Sequence, residues 1–360
     1  MNLFIPLVII GVLSIITLLL IIVDRLLGGS KEKKLRINND IEIPITENDT
    51  LLNTLGKQKI FVPSACGGKA TCGLCKCKVT EGGGEVLATE EPFLSEKEKQ
   101  EGVRLSCQVK VRDDISIELP MDQLNAESYT SKVVGLEELT YDIVLLRVQL
   151  IHPKEMHFKP GQYAQIKVPG LEIIRAYSIA SNPKYKDTLE FIVRYVPKGK
   201  ATTFVHKALR VGDTVSLTGP YGDFYLQEDS NKDMICIAGG SGKAPIRSIV
   251  DYLKDQDMPR KVTYFFGARS KKDLYYTEEF KALEKEYPNF KYIPALSDPL
   301  EEDNWDGETG LITDVVDRLT GDLSNAEAYL CGSPGMIDAC NKVLEKHDLP
   351  QEQCFYDKFS

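Results

Sequence analysis

A chain of 360 residues is too long for one ordinary core, so two or three domains are expected. With 42% apolar and 27% charged residues it has the composition of folded protein, and a formal charge of −9 excludes a duplex nucleic-acid binder, which needs a basic face for phosphate. Nine cysteines over this length are too sparse for a secreted disulfide scaffold, so their spacing carries the information.

Residues 3–23, LFIPLVIIGVLSIITLLLIIV, carry no charge and, at about 1.5 Å per residue, are long enough to cross a hydrocarbon core of about 30 Å. One transmembrane helix is expected there. A cleaved signal peptide is the rival reading, but no Lys or Arg precedes the run and no small-residue cleavage site lies within it. Arg25, Lys31, Lys33, Lys34 and Arg36 all follow it. By the positive-inside rule the N-terminus is then outside, and everything downstream is expected to be cytoplasmic on a single-pass inner-membrane protein. Residues 24–33, with Gly28, Gly29 and Ser30, read as a linker.

The stretch 34–121 is expected to be one domain. KLRIN and DIEIPI, on either side of Asn38-Asn39-Asp40, predict a hairpin. TLLNTLG predicts a short helix with Thr50 as N-cap and Gly56 as stop. A Gly- and Cys-rich loop from Ser64 to Cys75 precedes the strand CKVTEG, a turn at Gly82-Gly83-Gly84 and a helix at SEKEKQEG with a Ser95–Glu98 capping box. RLSCQVKV and DISIELP close the domain as strands.

Within it, Cys66, Cys72, Cys75 and Cys107 are spaced C-x5-C-x2-C-x31-C, three in the glycine-rich loop and a fourth on a later strand. Four thiolates suit zinc or an iron–sulfur cluster. A structural zinc usually sits on two C-x2-C knuckles, whereas here one such pair stands beside Gly67, Gly68 and Gly73, which let backbone N–H groups approach bridging sulfides. The spacing approximates the plant-type 2Fe–2S pattern with one extra residue in the first gap, so these four are the expected cluster ligands and zinc is the alternative. Cys77 would face the other side of its strand and reads as a small buried hydrophobe.

Residues 128–228 are nearly all strand: SKVVGLEEL, DIVLLRVQL, GQYAQIKVP, RAYSIAS, LEFIVRYV and DTVSLTG, with Gly/Pro punctuation that suggests a barrel. One helix, TTFVHKALR, breaks the series. RAYSIAS places Arg175, Ala176, Tyr177 and Ser178 where a cation, a phenol and a hydroxyl suit a phosphate and a flat ring. Gly199, Lys200, Ala201 and Thr202 open the helix, whose free N–H groups suit a pyrophosphate.

Residues 229–360 switch to strand, turn, helix, repeated from MICIAGGSG onward, which predicts a parallel sheet covered by helices. AGGSGKAP ends the first strand where such a sheet cradles a nucleotide, but Ile237 and Ala244 stand where a P-loop needs Gly and Ser or Thr. Cys331-Gly332-Ser333-Pro334-Gly335-Met336 ends the fourth strand in the same way, beside the expected switch point. The chain finishes CFYDKFS, where Phe359 or Tyr356 is available to cover a flavin ring.

Taken in order, C-x5-C-x2-C-x31-C, RAYS, GGSGKAP, GAR, ALSDP, EDNW, CGSPGM and a C-terminal aromatic resemble the ferredoxin reductase superfamily. Within it they are similar to the F-subunit family of sodium-translocating NADH:quinone oxidoreductases, N-terminal run included. That resemblance implies a β-grasp 2Fe–2S ferredoxin domain, an antiparallel FAD-binding β-barrel and a parallel-sheet NADH-binding domain. It implies FAD held by Arg175, Tyr177, Ser178, Arg194, Ala201 and Thr202, and a nicotinamide site lined by Gly239, Gly240, Gly242, Ala268, Arg269, Cys331 and Gly332. Tyr177, Ser178 and Cys331 are the expected catalytic residues.

NADH delivers two electrons and a cluster accepts one, so a flavin between them explains three cofactor domains. The implied partners are NADH, further membrane subunits of a respiratory complex and, indirectly, quinone. A reductase component serving an oxygenase or another membrane acceptor is the alternative. Nucleotide preference is mixed: Arg269, Lys271 and Lys272 follow the second strand of the nucleotide domain and suit a 2′-phosphate, whereas the resemblance favours NADH.

Overall fold

The computed structural model describes residues 11–19, 32–64, 66–171 and 173–359. Of the expected span at 3–23, residues 11–19 are helical, with Leu13, Ile15 and Leu18 among its exposed side chains, and the remainder lies outside the described residues. Among the described residues no helix is long and apolar enough to cross a membrane. The chain divides into two units: one runs to Lys57 and takes in Cys75–Leu119, and the other holds Gln58–Leu74 and everything from Pro120.

The first unit is built on a five-stranded sheet in the order β2-β1-β5-β3-β4, where β1 is Lys33–Ile37, β2 Ile41–Ile45, β3 Lys76–Glu81, β4 Val103–Leu105 and β5 Ile115–Glu118. The hairpin forms as expected, with Asn38 and Asn39 at φ 53° and 62° supplying the left-handed turn. Leu35 and Ile37 alternate inward and are fully buried, and β1 runs parallel to β5. The helix Leu51–Lys57 starts at Thr50, whose Oγ1 accepts from Asn53 N at 3.3 Å, and runs through Gly56 to Lys57. The Ser95–Glu98 capping box is present. RLSCQVKV, expected to be a strand, is one only over Val103–Leu105; Cys107 lies in the turn beyond it. The chain bends there because Gln108 N and Val109 N both donate to Leu105 O, closing a turn instead of a ladder.

In the second unit, six antiparallel strands follow the order β10-β7-β6-β11-β8-β9. They are β6 Glu127–Glu138, β7 Ile143–His152, β8 Tyr163–Lys167, β9 Ile174–Ser178, β10 Thr188–Arg194 and β11 Thr214–Tyr221. A bridge between Ile179 and Phe191 ties the two outer strands, so the sheet closes on a core that includes Val133, Leu146, Val148, Phe191 and Leu217. The expected helix begins earlier, as a short turn Lys200–Thr203 that widens over Phe204–Ala208.

The same unit carries a parallel sheet in the order β15-β14-β13-β12-β16-β17, from β12 Asp233–Gly239, β13 Val262–Ala268, β14 Phe290–Leu296, β15 Glu308–Thr309, β16 Ala326–Gly332 and β17 Cys354–Lys358. Met234 to Ala238 are all buried, the continuous apolar run that helices on both faces demand. The chain steps from β12 to β13 and β14 on one side and returns to β16 on the other. The switch point therefore falls between β12 and β16. Strands β15 and β17 were not foreseen.

Candidate functional site

On the barrel, β9 pairs with β8 so that Arg175 lies opposite Ile166, Ala176 opposite Gln165, Tyr177 opposite Ala164 and Ser178 opposite Tyr163. Arg175 is exposed, and its Nη1 donates to Ile174 O at 2.7 Å. Tyr177 is half-buried, burial pushes its phenol up to about 12, and its buried Oη has no hydrogen-bond partner among the described residues. A buried phenol left unpartnered costs about 1–3 kcal/mol, so this atom fits a polar group of a bound ring system. Arg194 ends β10, and its Nε donates to Asp142 Oδ2 at 2.8 Å. Gly199 precedes the helical turn, Lys200 is exposed, Ala201 is buried, and Thr202 Oγ1 accepts from Val196 N at 3.1 Å, which ties the turn to the end of the barrel strand.

The glycine turn at the end of β12 is set by close packing. A Cβ on Gly242 would stand 2.2 Å from Cys331 O, and one on Gly239 would stand 2.9 Å from Met336 Sδ. Gly240 adopts φ 56°, and a Cβ there would meet Arg194 Nη1 at 3.2 Å. The two glycine motifs thus touch across the switch point, and the Arg194 guanidinium reaches the turn from the barrel. Ala268 and Arg269 follow at the end of β13, where Arg269 pairs with Asp298.

Lys243, which the sequence places beside this turn, points inward. It is fully buried, its Nζ donates to Tyr275 O at 2.5 Å and Tyr292 Oη at 3.2 Å, and it lies 3.6 Å from the centre of the Phe266 ring. Burial pushes its ammonium well below the ordinary lysine range. Tyr275 Oη in turn donates to Gly240 O at 2.7 Å, so this lysine braces the turn from behind.

The C-terminal strand adds a residue that sequence reasoning missed. In the β16–β17 register Cys331 faces Asp357 and Gly332 faces Lys358. Asp357 is hydrogen-bonded to Ser178, and burial outweighs that bond to push its carboxyl up to about 6. Cys331 is fully buried, and burial together with the Asp357 charge drives its thiol well above the ordinary range. Ser178, Cys331 and Asp357 therefore gather a hydroxyl, a protonated thiol and a titratable carboxyl. Phe359 N donates to Gly332 O at 2.8 Å, placing that half-buried ring beside the turn, whereas Tyr356 is half exposed. The signal available in the sequence was the acid within CFYDKFS; only pairing with β16 shows its partner.

The cysteines form two pairs. Cys66 and Cys72 have sulfurs 3.4 Å apart, and Lys69 N donates to Cys66 Sγ at 3.3 Å. Burial raises Cys66, but N–H groups of Thr71 and Lys69 and the Cys72 thiol outweigh it and bring it down to about 7. Cys75 is buried against Cys107, whose thiol, with burial, raises it, and Gln108 Nε2 donates to Cys107 Sγ at 3.5 Å. Among the described residues no group of three or more His, Cys, Asp or Glu side chains converges for a metal ion. Amide donors aimed at sulfur and a thiol drawn toward ionisation are the chemistry a cluster requires. Cys77 is buried on β3, and burial pushes it up to about 12.

Three family models match the chain in series: a 2Fe-2S iron-sulfur cluster binding domain over residues 35–112, an oxidoreductase FAD-binding domain over 130–225 and an oxidoreductase NAD-binding domain over 236–342. The F subunit of the Na(+)-translocating NADH-quinone reductase of Neisseria gonorrhoeae is 36% identical over 372 residues, covering 90% of this chain and 91% of that protein. The protein of the same name from Mannheimia succiniciproducens is 36% identical over 398 residues, covering 97% and 96%. Among solved structures, the Amycolatopsis cytochrome P450 reductase GcoB superposes with a TM-score of 0.75 at 28% identity, covering 91% of this chain and 98% of that one. A ferredoxin reductase of carbazole 1,9a-dioxygenase shares the fold, with a TM-score of 0.71 at 24% identity, covering 92% and 99%.

Proposed function

The chain belongs to the family of Na(+)-translocating NADH-quinone reductase F subunits, and from that premise we propose that it is the electron-input subunit of such a complex, with quinone as the indirect acceptor. It is an oxidoreductase that takes electrons from NADH through FAD to a 2Fe–2S centre. When bound, FAD and the cluster supply the change from two-electron to one-electron transfer that a hydride donor requires. The observation that carries the reading is the gathering of Ser178, Cys331 and Asp357 beside the paired glycine turns, within a chain that matches an F subunit over 97% of its length.

The residues have separable tasks. Gly239, Gly240 and Gly242 let the backbone approach a pyrophosphate, and Ala268 and Arg269 extend that surface along the strand ends. Cys331, kept protonated, is a neutral surface for a nicotinamide ring and no nucleophile. Asp357 and Ser178 hold a proton between Oδ and Oγ near neutral pH. Arg175, Ala176, Tyr177, Ser178 and Arg194, with Gly199, Lys200, Ala201 and Thr202, would hold FAD, and Phe359 would cover its ring. Cys66, Cys72, Cys75 and Cys107 would ligate iron.

In this reading 3–23 anchors the protein by a single pass with the N-terminus outside, 24–33 links, and 34–121, 128–228 and 229–360 are the cluster, flavin and nucleotide domains. Membranes lacking this chain test it. The full chain should restore Na+-stimulated quinone reduction by NADH, while a form beginning at Lys33 should oxidise NADH with ferricyanide yet fail to restore it. Equal rescue by the shortened form would remove the anchor from the account, and no rescue by the full chain would remove the quinone reductase.

A further inference from the structure

The buried cysteine pair, Cys75 and Cys107, holds between its members a polar group that no other residue engages. Ser106 precedes Cys107 in the chain, and its backbone N donates to Cys75 O at 2.8 Å. Its carbonyl accepts from Leu52 N at 3.0 Å, so the residue is pinned from both sides. The side chain is fully buried, and its Oγ has no hydrogen-bond partner among the described residues.

Buried hydroxyls are nearly always hydrogen-bonded, so one without a partner calls for an acceptor that the bare chain lacks. Cys75 supplies it on ionisation. The Cys107 thiol and burial raise the Cys75 thiol, whereas the Cys107 N–H and the Ser106 hydroxyl favour its ionised form. A thiol sulfur is a weak acceptor and a thiolate a far stronger one, so the hydroxyl gains its partner when Cys75 binds iron.

We propose that the Ser106 hydroxyl donates to the Cys75 thiolate in the cluster-bound protein and that this bond sets how readily the cluster accepts an electron. The proposal rests on the reading of Cys75 and Cys107 as cluster ligands. One electron passes from the reduced flavin to the cluster, and the hydroxyl keeps its proton throughout, so no covalent bond forms or breaks. A donor aimed at sulfur stabilises the negative charge that arrives, which favours the reduced cluster and draws electrons forward. Ser106 is therefore a positioning residue, acting through Cys75.

The test uses the full-length chain loaded with FAD and cluster, its Ser106→Ala and Ser106→Thr variants, and Cys75→Ala as the ligand control. Redox titration followed by electron paramagnetic resonance for the cluster and by absorbance for the flavin gives both midpoint potentials in one sample. Ser106→Ala should keep its cluster but lower the equilibrium constant for cluster reduction about tenfold, a fall of about 59 mV for a one-electron couple, while the flavin potential stays unchanged. Ser106→Thr, which keeps the hydroxyl, should stay within about threefold of wild type. A cluster in Ser106→Ala within about twofold of wild type overturns the proposal. So does a Thr variant that falls as far as Ala, because the effect then belongs to the shape of the site. A wild-type cluster signal that survives in Cys75→Ala overturns the ligand reading, and the proposal with it, whatever the Ser106 variants show.

Discussion

The chain has two glycine-rich loops that place chemistry, and they need glycine for different reasons. In the cysteine loop Gly67, Gly68 and Gly73 sit at φ 64°, 84° and 67°, which turns amides toward sulfur, and no residue from 66 to 74 is buried. In the nucleotide turn Gly242 is buried against Cys331 O, and Tyr275 holds Gly240 from behind. One loop runs through part-buried and exposed residues, tied by Gly67 N and Gly68 N to Ser64, and the other is held by packing on both faces. A loop of the first kind depends on its bound group for order, whereas one of the second is formed before its ligand arrives.

The sharpest way to break the contrast is Gly242→Ala. Its Cβ would meet backbone that cannot yield, so we expect a loss of about 3 kcal/mol in stability and of about 100-fold in kcat/KM for NADH, read by thermal melts and ferricyanide reduction. Unchanged values would mean that the turn is looser than its packing implies.

Removing iron with a chelator should act on the other loop alone. Trypsin should cut after Lys69 about tenfold faster, while NAD+ affinity stays within twofold. Equal protection with and without iron would show that the protein orders the cysteine loop by itself.

Lys243→Met probes the brace behind the nucleotide turn. Because the folded-state pKa of Lys243 is depressed, the unfolded chain binds more protons between that value and the ordinary lysine value, and wild-type stability rises with pH across that window. The Met variant should therefore be more stable at pH 7 by about 1–3 kcal/mol, with a gain that shrinks toward pH 10. A constant gain across pH would assign the effect to packing.

Asp357→Asn should have the smallest effect, about two- to fivefold on kcat at pH 7. The carboxyl's pKa of about 6 lies above its unfolded value, so its protonated form favours the fold below that pH and this contribution is lost as pH rises through 6. The wild-type pH–rate profile should inflect near 6 and the variant's should not. An inflection that persists would exclude Asp357 from the proton step.

Much of this was legible in the chain. The Asn38-Asn39 hairpin, the Ser95–Glu98 cap, the six barrel strands and the switch point follow from local turn chemistry and hydrophobic period, which act over a few residues. Pairings made across the fold were not legible. Strand β17 is five residues at the chain end, and only its register with β16 brings Asp357 to Cys331 and Ser178. Nothing in the GGSGKAP turn shows which way Lys243 points; its inward course appears only with its aromatic surroundings, drawn from three later segments. The basic loop looked open to a 2′-phosphate because Asp298 and Asp303 arrive about thirty residues later. Cys107 left its expected strand because the turn bonds onto Leu105 compete with the ladder.

NADH oxidation and cluster reduction are successive events carried by separate domains of the chain. Rapid mixing of NADH with the full-length protein and its Cys72→Ala variant, followed by flavin absorbance and by freeze-quenched electron paramagnetic resonance, tests this most directly. Flavin bleaching should precede the cluster signal in the wild type. In Cys72→Ala the cluster signal should vanish, with flavin reduction within about twofold of the wild-type rate. A cluster signal that appears before flavin bleaching, or flavin reduction lost together with Cys72, would contradict it.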